Sequence, residues 1–254
     1  MNGIKSIQSR LEKSFRLLNG LPDYLSFEEM GLDPESFNVV KQHLQTFINA
    51  GKKMNVRRIS FIINQDSSYY QALRDLLIQS NFNLFSSKVV MCRGLSDYAA
   101  EGTKYRWHSL EDEAVLSEAM FKDLWKKCMS GSDNAKSSLS MDEHMESVKS
   151  ELPTSWRKSC SAVFENNRPL GIAIPHIEPG TDNEGRLFYF GLLSEERGKG
   201  KSADIHKDFL TLLKRMGAQF YIGSTGQANE KMQKVFLKNG CRFAKTTESY
   251  YYYY

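Results

Sequence analysis

The stretch Glu195-Glu196-Arg197-Gly198-Lys199-Gly200-Lys201-Ser202 gathers two glycines and three cations within eight residues. Those residue types suit the binding of an anion. Glycines let the backbone aim successive N–H groups at one point and let a ligand approach closely. A helix starting there adds its unpaired N–H groups and its positive dipole end. Arg197, Lys199 and Lys201 would add mobile positive charge. The chemistry implied is a phosphate or pyrophosphate cradle. An ordinary strand-to-helix turn with solvated lysines fits the same residues.

The flanks must supply the strand and the helix. Leu187-Phe188-Tyr189-Phe190-Gly191-Leu192-Leu193 is an apolar run of strand length, and Ala203 to Met216 is amphipathic at helical spacing. Two patterns then compete for the turn. Gly200-Lys201-Ser202 ends like the P-loop G-x-x-x-x-G-K-[ST], but that pattern needs glycine at 195. Glu195 stands there beside Glu196, and two carboxylates would repel phosphates. The pattern R/Q-x-x-G-x-G/A is met by Arg197, Gly200 and, one atom larger, Ser202. It resembles the pyrophosphate motif of the GNAT superfamily of acyl-CoA-dependent N-acyltransferases.

Upstream, apolar residues at Ile4, Ile7, Leu11, Phe15 and Leu18 are spaced as in a helix that Gly20 and Pro22 would end. Helix is also expected near 36–50, strand at 56–63, helix at 69–79 and strand at 86–93. Ser96 to Thr103 reads as a linker, which divides the chain into regions 1–98 and 104–254. In the second region strand is expected at 105–108 and helices at 113–129 and 141–152. Strands at 160–165 and 170–176 join through Asn166-Asn167-Arg168-Pro169. After the glycine turn come helix 203–216, strand 219–223, helix 228–238 capped by Gly240, and a last strand ending in five tyrosines.

The order of elements over 105–254 is that of a GNAT domain, and the glycine motif follows its fourth strand. Asn229 falls where the family has an asparagine contacting the CoA arm, and Asn229 through Gly240 resembles the family's N-x-x-A-x-x-l-Y-x-k-x-G-F run. The resemblance implies an α/β fold: a central, mostly antiparallel sheet flanked by helices, preceded here by a smaller α/β region. It places acetyl-CoA on Phe190, Gly191 and Leu192, with the pyrophosphate on Arg197, Gly198, Lys199, Gly200, Lys201, Ser202 and Ala203. Asn229 and Phe236 would complete that cofactor site. Two positions depart from the family run. Phe236 replaces its frequent tyrosine acid, and Cys241 replaces the phenylalanine after its glycine. Phenylalanine donates no proton, so an acid must come from another side chain or from water.

Residues 61–82 align without a gap on 220–241, with Ile63 on Ile222, Leu73 on Met232 and Leu77 on Phe236. The first region therefore resembles a truncated, degenerate GNAT half. It lacks the glycine motif, and Tyr70 stands where Asn229 does, so this half would bind no CoA.

Candidate bases in the second region are Glu184 and His176, with Glu178 able to reach the same cleft. The polar turn around Glu184 and the Pro175 beside His176 also suit solvated surface residues, and ordered water would need neither as base. His43, His108, His144 and His206 show no metal or triad spacing. The four cysteines form no C-x-x-C pair, so neither zinc nor a disulfide framework is expected, and Cys160 and Cys241 read as core. A balance of 34 basic and 30 acidic residues is too even to suggest nucleic acid. No stretch suits a signal peptide or a membrane helix, and a cytoplasmic protein without membrane attachment is expected. The function expected is transfer of an acetyl group from acetyl-CoA to a primary amine of a small molecule or peptide. The alternative is a CoA-binding, catalytically vestigial module that regulates or scaffolds.

Overall fold

The computed structural model describes residues 11–20, 24–98, 102–134, 137 and 139–254. In chain order the elements begin with β1 (Phe15–Gly20), β2 (Tyr24–Glu29), α1 (Pro34–Lys53), β3 (Arg58–Asn64), α2 (Tyr70–Gln79) and β4 (Asn83–Gly94). Next come β5 (Arg106–Ser109), α3 (Glu118–Met129), α4 (Met141–Glu151), the short α5 (Trp156–Ser159), β6 (Ser161–Glu165) and β7 (Arg168–Ile177). The remainder is β8 (Glu184–Leu192), α6 (Ser202–Arg215), β9 (Phe220–Gly226), α7 (Glu230–Lys238) and β10 (Arg242–Tyr253).

The chain divides into two compact units. One is Met1–Lys88 with Lys245–Tyr254, and the other is Val89–Ala244. This differs from a boundary at 98–104. The chain crosses inside a strand, because strand pairing rather than loop composition decides where a unit ends. Of the expected linker 96–103, residues 96–98 and 102–103 are described, and 99–101 lie outside the described residues.

In the first unit β1 and β2 form an antiparallel pair, Phe15 opposite Glu29 through Gly20 opposite Tyr24. The helix expected over 4–18 is therefore strand from Phe15 onward, and 1–10 lie outside the described residues. Phe15 and Leu17, two apart, both reach the core, so the strand period wins where Phe15 and Leu18 also suited a helix. β2 then runs parallel to β3 over five residue pairs, Tyr24–Arg58 to Glu28–Ile62. α1 lays Val40, Leu44, Phe47 and Ile48 against them, the i, i+4, i+7, i+8 face of an amphipathic helix. Phe61 is the centre of the core: Phe27 stacks on it at 5.0 Å, and Phe15 and Phe82 meet it edge-on at 5.8 and 5.7 Å. The tyrosine-rich β10 pairs antiparallel with β3, Thr247 opposite Asn64 through Tyr253 opposite Arg58.

In the second unit the strands lie in the order β4-β9-β8-β7-β6-β5. β5 to β8 form an antiparallel meander, and β9 is parallel to β8. Asn166 and Asn167 both take positive φ, +50° and +63°, which suits the two-residue turn between β6 and β7. On one face α3 and α4 cover Ile172, Ile174, Phe188 and Tyr189 with Phe121, Trp125 and Val148. On the other α6 brings Phe209 and Leu213 against Ile177, Leu187 and Phe190. Two stretches of the chain, β1–β4 and β7–β10, repeat one plan: antiparallel hairpin, helix, strand parallel to the hairpin's second strand, helix, strand. The alignment of 61–82 on 220–241 thus matches β3–α2 to β9–α7.

Candidate active site and cofactor cleft

The repeated plan differs at one place. β2 and β3 stay paired over five positions, whereas β8 and β9 pair only at Glu184–Phe220 and Gly185–Tyr221. Beyond Gly185 the two parallel strands part. The pairing of β7 with β8 shows why. Its register shifts by one between Ala173–Phe190 and Pro175–Leu187, so Phe188 and Tyr189 together oppose Ile174. This is a β-bulge, which adds twist and bends its strand. It leaves β8 from Arg186 to Leu192 without pairing to β9, a cleft between parted strands.

The glycine turn closes the end of that opening. Gly198 and Gly200 have φ of +73° and +76°, and a Cβ on either would meet nothing within 4 Å. α6 starts at Ser202 behind Lys201, which provides no side-chain cap, so its first N–H groups are left for another acceptor. The matching helix of the first unit is shut. Asp33 caps α1 through Ser36 N at 2.7 Å, and Pro34 in the first turn has no N–H to offer. Among the described residues, only those of the second unit therefore combine parted strands with an uncapped, glycine-led helix start.

The motif's cations are not mobile, contrary to expectation. Arg197 spans three backbone carbonyls: Leu192 at 3.1 Å, Gly131 at 2.8 Å and Cys128 at 2.9 Å. Its planar fork pins the end of β8 to the end of α3, which a point charge could not do as well. Glu196 is 2% exposed and collects Lys201 at 3.0 Å and Lys199 and Arg168 at 3.2 Å each. The hydrogen bond from Lys201 is the main reason its carboxyl sits below the usual range. Lys201 also meets Glu165 at 2.6 Å, and these two acceptors raise its ammonium above the ordinary value. An anion at this turn would meet backbone N–H groups more than free side-chain charge. Glu196, which argued against phosphate, turns inward and is neutralised.

Both candidate bases are buried rather than solvated, with His176 at 2% and Glu184 at 6% exposure. They belong to one cluster on the α3–α4 face. His176 is opposite Arg186 across the β7–β8 ladder, and Glu178 N bonds Glu184 O at 2.8 Å. The His176 ring lies between two acceptors, Glu178 Oε2 on Nε2 and the Ile174 carbonyl on Nδ1, both at 3.4 Å. Arg186 is ion-paired with Glu184 and reaches Glu178 at 3.5 Å. Glu151 at the end of α4 joins them: one ligand atom each from Glu151, His176 and Glu178 falls within 4.8 Å, a spacing that suits a cation. The Arg186 guanidinium already supplies positive charge at that point. From the His176–Arg186 pair to Phe190 is four residues, about 13 Å of strand.

No protein-family model matches the sequence, and no curated protein is significantly similar to it. Solved structures are. A GCN5-related N-acetyltransferase from Sphaerobacter thermophilus superposes with a TM-score of 0.61 at 14% identity, covering 94% of this chain and 76% of that one. One from Kribbella flavida gives 0.58 at 13% identity, covering 97% and 93%. A tandem GNAT protein from the clavulanic acid biosynthesis pathway gives 0.57 at 7% identity, covering 94% and 78%. The chain has the GNAT fold. The near-complete coverage by a tandem structure agrees with the repeat of one plan along the chain.

Within the GNAT fold Asn229 is the N-cap of α7, its side-chain oxygen accepting from Met232 N at 3.1 Å and its amide nitrogen remaining to donate. Phe236 is only 1% exposed, so its ring belongs to the core beside Tyr221 and His206 instead of lining the opening. Ala203 is likewise buried. His206 accepts from Asn239 on Nδ1 at 2.9 Å, and its Nε2 has no partner. Burial, then the Arg93 charge, pushes its imidazolium down to about 3, so the ring is neutral.

Among the other buried polar atoms with no partner at hydrogen-bonding distance are Trp125 Nε1, His144 Nε2 and Tyr189 Oη. Trp125 meets both other rings, His144 at 5.3 Å and Tyr189 at 5.4 Å. Burial lowers the His144 imidazolium, which keeps that ring neutral as well. The group faces the same side of the sheet as the His176–Glu178 cluster. Nothing in the spacing of 125, 144 and 189 announces it, because the bulge and the helix crossing assemble it.

Proposed function

We propose that this protein is an acyl-CoA-dependent N-acyltransferase acting on a primary amine, with acetyl-CoA as the donor. The observation that carries the reading is the contrast between the units. Strands part, and an uncapped glycine turn follows, in Val89–Ala244 alone.

The N–H groups from Gly198 to Ala203 bind the pyrophosphate, and glycine at 198 and 200 leaves room for its approach. The edge at Phe190–Leu192, which has no pairing with β9, holds the pantetheine arm as an added strand would be held. In the structure Asn134 Nδ2 bonds the Phe190 carbonyl at 3.2 Å, and it gives way to the arm. Asp133, next to it, pairs with Lys231 of α7 at 3.0 Å, a solvent-exposed contact that opens at little cost. Acetyl-CoA supplies the acyl group. The acceptor approaches on the α3–α4 face, where His176, with Glu178 and Glu184 behind it, receives the amine proton through water across the roughly 13 Å of strand.

The test is thermal unfolding with acetyl-CoA, CoA and ATP, followed by thiol release over a panel of amines, peptides and aminoglycosides. Absence of a shift with either CoA form ends this reading, and a shift with ATP alone favours a nucleotide-binding turn. A second reading, a CoA-binding module without turnover, draws on Phe236 and gains if CoA binds and no acceptor releases thiol.

A further inference from the structure

The two-for-one pairing at the β8 bulge has a chemical result. Successive residues of a strand point to opposite faces, yet Phe188 and Tyr189 both face α3, with their rings at 6.4 and 5.4 Å from Trp125. The bulge aims Tyr189 along its own strand. Its hydroxyl stands over Gly191, where a Cβ would lie 2.7 Å from Tyr189 Oη and 3.1 Å from Cys128 Cβ. Residue 191 is thus glycine because the tyrosine lies across it. The hydroxyl is shut from solvent and has no partner at hydrogen-bonding distance, although the Asn134 and Ser132 side chains are near enough to act on it. A buried hydroxyl left without an acceptor costs stability, so an acceptor that arrives with a ligand has a reason to be held there.

We infer that the Tyr189 hydroxyl donates a hydrogen bond to the thioester oxygen of the bound acyl donor and stabilises the negative charge that develops on it. The inference rests on the acyltransferase reading, which lays the donor along Phe190–Leu192. The balance of the step is simple. The amine N–C bond forms and the C–S bond breaks with its electron pair on sulfur. The proton lost by nitrogen passes through water to His176, and the CoA sulfur leaves as a thiolate that the same proton, returned through water, then neutralises. Tyr189 keeps its own proton throughout. Burial, tempered by the polar Asn134 and Ser132 side chains acting on the hydroxyl, pushes the phenol up to about 12, so it stays a donor at every working pH and is too weak an acid to protonate a thiolate. Removal of a donor of this kind slows turnover by about 100-fold or more.

The experiment compares the wild type with Tyr189→Phe by three measurements. Steady-state thiol release should show kcat lowered about 100-fold with KM for acetyl-CoA within about twofold. Thermal unfolding without ligand should show little loss, since the deleted hydroxyl has no partner at hydrogen-bonding distance. The infrared carbonyl band of acetyl-CoA carrying 13C at the thioester carbon should move to lower frequency on binding wild type and move less on binding the variant. Equal bands in the two proteins, a rate within twofold of wild type, or a fall in rate matched by a fall in melting temperature overturns the inference. If the wild type binds acetyl-CoA without turning over any amine, the infrared comparison decides alone. If it binds no acetyl-CoA, the cofactor reading fails and takes this inference with it.

Discussion

Gly200 and Gly180 allow backbone strain and ligand access to be separated. Their φ values are +76° and +84°, and a methyl on either meets nothing within 4 Å. Gly180 lies in the turn between β7 and β8, at the opposite end of β8 from the glycine motif. Alanine at either site must hold the left-handed conformation, at about 1–2 kcal/mol. At about 2–4 °C per kcal/mol for a chain of this size, both variants should melt several degrees early without ligand. Acetyl-CoA at 100 times its dissociation constant stabilises by about 2.7 kcal/mol, or roughly 5–11 °C. Gly180→Ala should keep that increment in full. In Gly200→Ala the methyl occupies the space through which the pyrophosphate reaches the N–H groups. A hundredfold weaker site leaves about 0.4 kcal/mol at the same ligand concentration, a shift of about 1 °C. Differential scanning fluorimetry reads both quantities. Equal ligand shifts in the two variants would show that the cofactor does not approach Gly200, and the placement of the cradle would fall.

Arg197→Lys keeps the charge and loses the three-carbonyl fork, so we expect a loss of about 1–3 kcal/mol in thermal unfolding; an unchanged midpoint refutes the pin between β8 and α3. For His206 the folded value of about 3 lies below the ordinary 6.5, so the unfolded chain binds the extra proton. Its contribution is complete above pH 6.5 and is lost as pH falls from there toward 3, by up to about 1.4 kcal/mol per pH unit. Denaturant titrations across that window should show a shallower slope in His206→Leu than in wild type, and parallel slopes refute it. Burial pushes the Cys128 and Cys160 thiols up to about 12 and Cys241 up to about 11, while Cys92 is partly exposed. A native-state titration with an aromatic disulfide at pH 8 should therefore find one fast thiol, and Cys92→Ser should abolish it. More than one fast thiol in the native protein contradicts the burial.

The glycine turn, the order of elements and the internal alignment are readable from residues because each depends on local spacing. Gly198 and Gly200 announce a backbone that needs positive φ, and the apolar period of 203–216 announces the helix behind them. What spacing cannot carry is the choice of partner. Phe15 and Leu18 fit a helix until β2 is present to pair with, and β2 itself, Tyr24 to Glu29, passes without a signal between two stronger ones. Arg197 looks like a free cation because its three carbonyl partners come from 128, 131 and 192. His176 and Glu184 look like surface residues in polar turns, and the helix that covers them, ending at Glu151, joins them only in the folded chain. The orphaned Tyr189 hydroxyl is furthest from view, since it follows from a register shift of one residue between β7 and β8.

The last strand has a consequence for biosynthesis. β3 lies inside the first unit, but the partner it takes through Tyr250 and Tyr252 belongs to residues made only after position 244. A ribosome adding about 5–20 residues per second needs roughly 10–30 s to pass from residue 89 to the last tyrosine. For that time the nascent chain carries Ile59, Phe61 and Ile63 on a strand whose hydrogen-bonding edge is still open, the kind of edge that recruits strangers. The first half therefore cannot mature when its own residues have been made. Its completion waits for the final tyrosines, and the newborn protein depends on whatever guards that edge until they arrive.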